Sequence, residues 1–198
     1  IGVTSINAQD KNNPFSIGFG ANAVDFYSTN PGLIGHGSWF NEFLNVGDHY
    51  NVIPAVSKVT VGKYLTDGFT IEAAGSLNSI TKVGDNRIAN ASYLSLDGAV
   101  KYDLNNLVGE TNSFDPYVSI GGGYVWMDDF GTATFNSGLG FNIWFSDNLG
   151  VNLETKYKHA FESMIVQHFQ HSLGLVIKFG GTDSDNDGIY DDVDACPE

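Results

Sequence analysis

Basic residues are what this chain has least of. Nine Lys and Arg stand against 23 Asp and Glu in 198 residues, and no basic cluster occurs, which excludes an electrostatic nucleic-acid binder. Cysteine is as scarce: Cys196 is the single copy, so no internal disulfide can staple the fold. Charged residues make up 16%, against about 25% in soluble domains. Mean hydropathy is nevertheless −0.10 and no 18-residue apolar run appears, which excludes a helical membrane protein. The length leaves room for one domain and a tail, and excludes a large multidomain enzyme.

What is present is glycine and aromatic side chain, 24 Gly and 13% Phe, Trp and Tyr, a pairing suited to tightly curved sheet. Residues 14–180 alternate in polarity nearly everywhere and show no sustained helical stripe. Leu149, Val151, Leu153, Thr155 and Tyr157 oppose Gly150, Asn152, Glu154, Lys156 and Lys158. The last strand repeats the pattern, with Phe169, His171, Leu173, Leu175, Ile177 and Phe179 against His168, Gln170, Ser172, Gly174, Val176 and Lys178. Eight such strands are predicted, the first from Phe15 and the second, less regular, through Ile53, Ala55, Val59 and Val61. Long connectors are expected at Tyr27 to Tyr50, Ser79 to Ala91 and His159 to Gln167, and tight turns at Thr66-Asp67-Gly68 and Ser146-Asp147-Asn148. Long connectors thus gather at one end of the strands and tight turns at the other, a rule that Leu104 to Phe114 and Asp128-Asp129 break, one long for its end and one short.

Eight alternating strands fit a soluble lipocalin-like barrel or an outer-membrane barrel, and charge placement decides between them. The parity that carries the charges is also rich in Gly and Ser, which suits a cramped interior, so the uncharged parity must face lipid. Two aromatic girdles follow: Phe15, Phe69, Tyr102, Phe145 and Phe179 at the short-turn end, and Tyr124, Trp126, Tyr157 and Phe169 at the long-loop end. Inward positions hold Lys58, Lys101, Lys156, Lys158 and Lys178 with Glu72, Asp97, Asp103 and Glu154. Buried charge is costly unless paired, so these are expected to form a mixed network that plugs the barrel. A gated ion path is the functional alternative.

On strand count, girdles, loop asymmetry and a final strand ending in the aromatic Phe179, residues 14–180 resemble the N-terminal barrel of OmpA-like outer-membrane proteins. The resemblance implies an eight-stranded antiparallel up-and-down transmembrane barrel, outer-membrane lipid as its surroundings, and a terminal strand read by the barrel-assembly machinery. Residues 1–13 form an N-terminal segment, in which Ser5-Ile6-Asn7-Ala8 before Gln9 looks like the end of a secretory signal peptide. An ordinary N-terminal segment is the alternative.

Residues 181–198 differ in kind. Between Asp183 and Glu198 lie seven of the 23 acids and none of the bases. Carboxylates at positions 1, 3 and 5 of a loop, Gly188 at position 6 and an acid at position 12 match what Ca²⁺ requires. An EF-hand wants a Glu at position 12 and a preceding helix, whereas Asp194 and a strand stand there. The run D-x-D-x-D-G-x-x-D-x-x-D-x-C-P instead resembles a thrombospondin type-3 repeat. That resemblance makes Asp183, Asp185, Asp187, Asp191 and Asp194 the Ca²⁺ ligands, optionally joined by the Ile189 carbonyl. It also implies that Cys196 pairs with a later cysteine, and that further repeats and a peptidoglycan-binding domain follow this stretch. A solvated acidic linker is the alternative.

Catalysis is not expected. His36, His49, His159, His168 and His171 lie in or beside the long connectors, but no triad spacing emerges, and His168 and His171 point to opposite faces. Three roles stay open: an anchor joining outer membrane to cell wall, an accessory subunit associated with other outer-membrane proteins, and a small pore.

Overall fold

The structure is a computed structural model and describes residues 13–29, 32–109 and 113–181. Its elements are β1 (Phe15–Asp25), α1 (Val46–His49), β2 (Tyr50–Val52), β3 (Lys58–Thr66), β4 (Phe69–Val83), β5 (Asn86–Asp103), α2 (Asn105–Val108), β6 (Phe114–Met127), β7 (Phe130–Trp144), β8 (Leu149–Ala160) and β9 (His168–Phe179). Every neighbouring pair of strands is antiparallel, and β9 pairs back onto β1 from Phe15↔Phe179 to Asp25↔Phe169, so the sheet closes on itself.

Nine strands make eight staves. On one flank β1 pairs first with β3, over Phe15–Gly20, and then with β2, over Ala23–Asp25. The predicted second strand was to run through Ile53 and Ala55, but the ladder is interrupted there, and Pro54 removes a donor that a continuous strand would need. Buried asparagines replace the missing bonds. Asn22 Nδ2 donates to the carbonyls of Ser57 and Leu77 at 2.9 Å each, and Asn51 Oδ1 accepts from the backbone of Thr81 and Lys82. Asn78 Nδ2 closes the set on the Asn51 carbonyl at 2.9 Å.

The predicted polar connector from Ser79 to Ala91 is a second departure. Those residues continue β4 and β5 as a hairpin turning at Gly84 and Asp85. Polarity inverts along it. Leu77 and Leu94 are the last apolar outward residues before Ser79, Thr81, Asn90 and Ser92 take over that parity, while Ile80, Ala91 and Tyr93 become buried inside. The nine residues from Phe69 to Leu77 agree with the roughly 9–11 residues that a tilted strand needs to cross the hydrocarbon. Beyond that depth the hairpin stands in water, and Ser79, Thr81, Asn90 and Ser92 are polar for that reason, with Ile88 an exposed apolar exception nearer the tip. The turns at the other end fall where expected: Asp67 and Gly68 both have positive φ, the geometry of a two-residue hairpin whose twist matches its strands.

The predicted parity holds along the staves. Phe15, Ile17, Phe19, Val59, Val61, Leu96, Ile120, Leu139, Leu153, Leu173 and Leu175 are all more than a third exposed on the outer wall. At the short-turn end Phe15 stacks on Phe179 at 6.1 Å and Phe69 meets Tyr102 at a tilt at 4.8 Å, and at the other end Tyr124 meets Trp126 at 4.5 Å. Phe169 does not join that girdle: it is 4% exposed. The first long connector folds back onto the outer wall and covers it, Phe43 meeting Phe169 edge-on at 5.0 Å and Trp39 meeting Tyr157 at 5.1 Å. This connector is also tied to the β4–β5 turn, where the Asp85 N–H donates to the Gly35 carbonyl at 2.8 Å. Within it, Asn45 and His49 hydrogen-bond Glu42 and hold its carboxyl below the ordinary value.

Candidate functional site: the closed lumen

The inside of the barrel is layered along its axis. Nearest the short turns, Trp144 Nε1 donates to Asp115 at 3.3 Å, and the Lys178 ammonium sits 4.8 Å over the Trp144 ring. Above them lies a polar void of about 70 Å³ bordered by Thr70, Glu72, Lys101, Tyr117 and Asn152, room for only a few waters. Lys101 pairs with Glu72 and lies 4.3 Å over the Tyr117 ring.

The next level is ionic. Glu154 receives Lys58 at 2.6 Å and Lys156 at 3.5 Å, with all three side chains almost wholly buried. Lys158, fully buried, donates to both carboxylate oxygens of Asp97 at 2.8 and 2.7 Å and to Ser95 Oγ at 3.0 Å. Asn136 Nδ2 donates to the same carboxylate at 2.8 Å. Glycine opposite makes room for this knot, because a Cβ on Gly123 would stand 2.1 Å from Asp97 Oδ1. Beside it Gln170 Nε2 donates to Ser76 Oγ at 2.7 Å, and Ser76 shares a proton with Ser95 at 2.8 Å. Desolvated charges at these separations hold one another because each has its counter-charge, and Asp97 has further donors in Asn136 and Ser95.

The level nearest the long loops is apolar, which the sequence pattern did not reveal. Val24, Phe26, Ile80, Ala91, Tyr93, Val125, Ala160 and Ile165 form one buried cluster across the barrel mouth. Burying each large member contributes about 1.5–3 kcal/mol. His168 belongs to this stopper: its ring lies tilted 4.8 Å from Phe26, shares a proton with Tyr93 Oη at 2.9 Å, and bonds the Val166 carbonyl. The stopper uses two residues from connectors, Phe26 and Ile165, and Thr29 Oγ1 fastens those connectors together by donating to the Gln167 carbonyl at 2.6 Å.

All nine inward charges expected from the sequence lie on the inner parity, and four ion pairs join seven of them. The histidines do not converge. His168 is inside, whereas His171 is on the outer wall, stacked on Tyr50 at 4.7 Å and bonded to Thr155. His36 bonds the Phe26 carbonyl, His49 stacks on Tyr27, and His159 meets Phe161 edge-on. Among the described residues no three His, Cys, Asp or Glu side chains gather as a metal site. Asp183, Asp185, Asp187, Asp191 and Asp194, like the signal-like segment at residues 1–8, lie outside the described residues.

Neither a family model nor a curated protein matches this sequence. Solved structures do match its fold. The outer membrane protein OprG from Pseudomonas aeruginosa aligns with a TM-score of 0.57 at 15% identity, over 88% of this chain and 100% of that one. Neisserial surface protein A (NspA) aligns with a TM-score of 0.56 at 12% identity, over 83% of this chain and 97% of that one. At such identities the likeness is one of fold: the chain has the all-β, antiparallel up-and-down architecture of outer-membrane barrels.

Proposed function

We propose that this protein is a structural outer-membrane barrel, OmpA-like in kind, that carries a calcium-stiffened linker on its periplasmic side and, through it, a peptidoglycan-binding domain. The observation that supports a structural role is the double seal of the lumen, an ionic knot around Glu154 and Asp97 beneath the apolar cluster of Phe26, Tyr93 and Ile165. Such an interior serves rigidity rather than passage. The tail leaves beside Phe179, at the short-turn end, where Gly180 adopts φ 102° and redirects the chain. In this reading the short turns face the periplasm, and the peptidoglycan-bound domain anchors the barrel to the cell wall.

Asp183, Asp185, Asp187, Asp191 and Asp194 are the proposed ligands. Six acids between Asp183 and Asp194 repel one another without a cation, so the free tail is extended, and Ca²⁺ removes the repulsion and fixes a turn at Gly188. The expected dissociation constant is that of extracellular calcium modules, about 10⁻⁴ to 10⁻³ M. Calorimetry and limited proteolysis of the whole chain test this. Calcium heat and calcium-dependent protection of the tail are expected, both lost in Asp185→Ala and Asp187→Ala; equal heats in all three proteins would leave a plain acidic linker. An accessory-subunit role predicts co-purification with larger barrels in mild detergent, and a small pore predicts steady current.

A further inference from the structure

The outer wall of the barrel is not evenly apolar. Where β7, β8 and β9 lie side by side, three lipid-facing positions are filled by Ser137, Thr155 and His171 instead of aliphatic residues. Ser137 lies opposite Tyr157 and Thr155 opposite Leu139, so the two small residues form one diagonal dent, bounded by His171, which lies opposite Thr155 and is covered by Phe43 and Tyr50. The first long connector does not fill it. Trp39, Phe40 and Phe43 arch over its upper rim against Tyr157 and Phe169, leaving a groove of about 470 Å³ between the connector and the wall. That lies within the roughly 300–1,000 Å³ of small-molecule sites.

We propose that this groove holds one acyl chain of an outer-membrane lipid. Its lower end runs directly into the lipid-facing band, through Val118 and Leu139, which are 42% and 64% exposed. A chain can therefore slide in sideways from the surrounding leaflet without crossing water. Its upper end is made of aromatic rings, with Trp39 49% and Phe40 66% exposed at the depth of the long-loop girdle. Rings of this kind favour the boundary between acyl chains and headgroups, which lets the lipid keep its headgroup in water while one tail lies under the connector. Empty, the dent would leave the groove-facing sides of Phe40, Phe43 and Tyr157 without contact atoms, forfeiting dispersion energy that a methylene chain restores. The site thus couples the lipid to the fold of the connector, and this inference does not depend on the calcium tail.

The test fills the dent. Ser137→Phe puts an apolar ring on the lipid-facing side, which the wall tolerates elsewhere at Phe135 and Phe141, so the barrel should still fold. Parent and variant are reconstituted in phosphatidylethanolamine vesicles, extracted in mild detergent and weighed by native mass spectrometry. The parent is expected to retain one phospholipid per barrel, and Ser137→Phe to lose it several-fold. As a second readout, Trp126→Phe leaves Trp39 as the one lipid-side tryptophan, with Trp144 buried inside. Phosphatidylcholine brominated midway along its chains should quench this emission, and adding Ser137→Phe should relieve the quenching. No retained lipid in the parent, equal retention in both proteins, or a groove occupied by a second copy of the barrel would overturn the proposal.

Discussion

Replacing Lys158 by Met is expected to be among the most damaging single changes in the chain. Lys158 is fully buried and gives Asp97 two of its hydrogen bonds. Without it the carboxylate keeps Asn136 and Ser95 but loses its counter-charge in a desolvated interior. Removing one member of a buried pair costs about 3–5 kcal/mol, mostly because the other charge is left uncompensated. Removing both is a different matter. Lys158→Met combined with Asp97→Leu should recover most of the loss, since apolar residues of similar size commonly replace a buried pair with little net cost. Urea titrations of barrels in phospholipid vesicles, scored by the mobility of folded and unfolded protein on gels, supply the double-mutant cycle. A loss under about 1 kcal/mol for Lys158→Met would mean that the pair is not desolvated as the geometry requires.

The second large effect concerns the outer wall. Leu175 lies mid-strand, 40% exposed, opposite Phe19 on one side and Val151 on the other. An arginine there must be drawn into hydrocarbon, and the expected cost is about 2–4 kcal/mol. Thr81 is also on the outward parity and exposed, but it lies beyond the polarity inversion of the β4–β5 hairpin. Thr81→Arg should therefore cost about 0–1 kcal/mol, the value near or beyond the interface. The contrast between the two sites locates the edge of the hydrocarbon. Equal tolerance of arginine at both would mean that Leu175 does not face lipid.

The orientation of the staves was legible in the sequence because a period of two survives wherever one face meets lipid and the other a polar interior. Glu154, Lys156 and Lys158 against Leu153 and Tyr157 is such a run, and the structure keeps it. Legibility failed where the solvent changed. From Ser79 to Thr81 and from Asn90 to Tyr93 the alternation continues with its sign reversed, because outward residues there meet water and inward ones meet the stopper, and nearer the tip a register shift after Ile80 ends it. Read by polarity alone, that segment looks like a loop. The stopper itself depends on Phe26 and Ile165 returning from connectors, which no strand period encodes. The burial of Phe169 was equally hidden, since it depends on how Trp39 and Phe43 fold back onto the wall. One signal was present in hindsight: Ser137 and Thr155 interrupt otherwise apolar rows, and they mark the place over which those rings arch.

Planar-bilayer recording tests the central claim, that the lumen is closed by two independent layers, most directly. With insertion confirmed by heat-modified gel mobility, the unmodified barrel should give no steady current steps above the bare membrane at any moderate voltage. The space inside, about 70 Å³ below the ionic level, is capped by Glu154 with its lysines and then by the apolar cluster. Large, stable single-channel currents from the unmodified protein would contradict the closed lumen and, with it, the structural role.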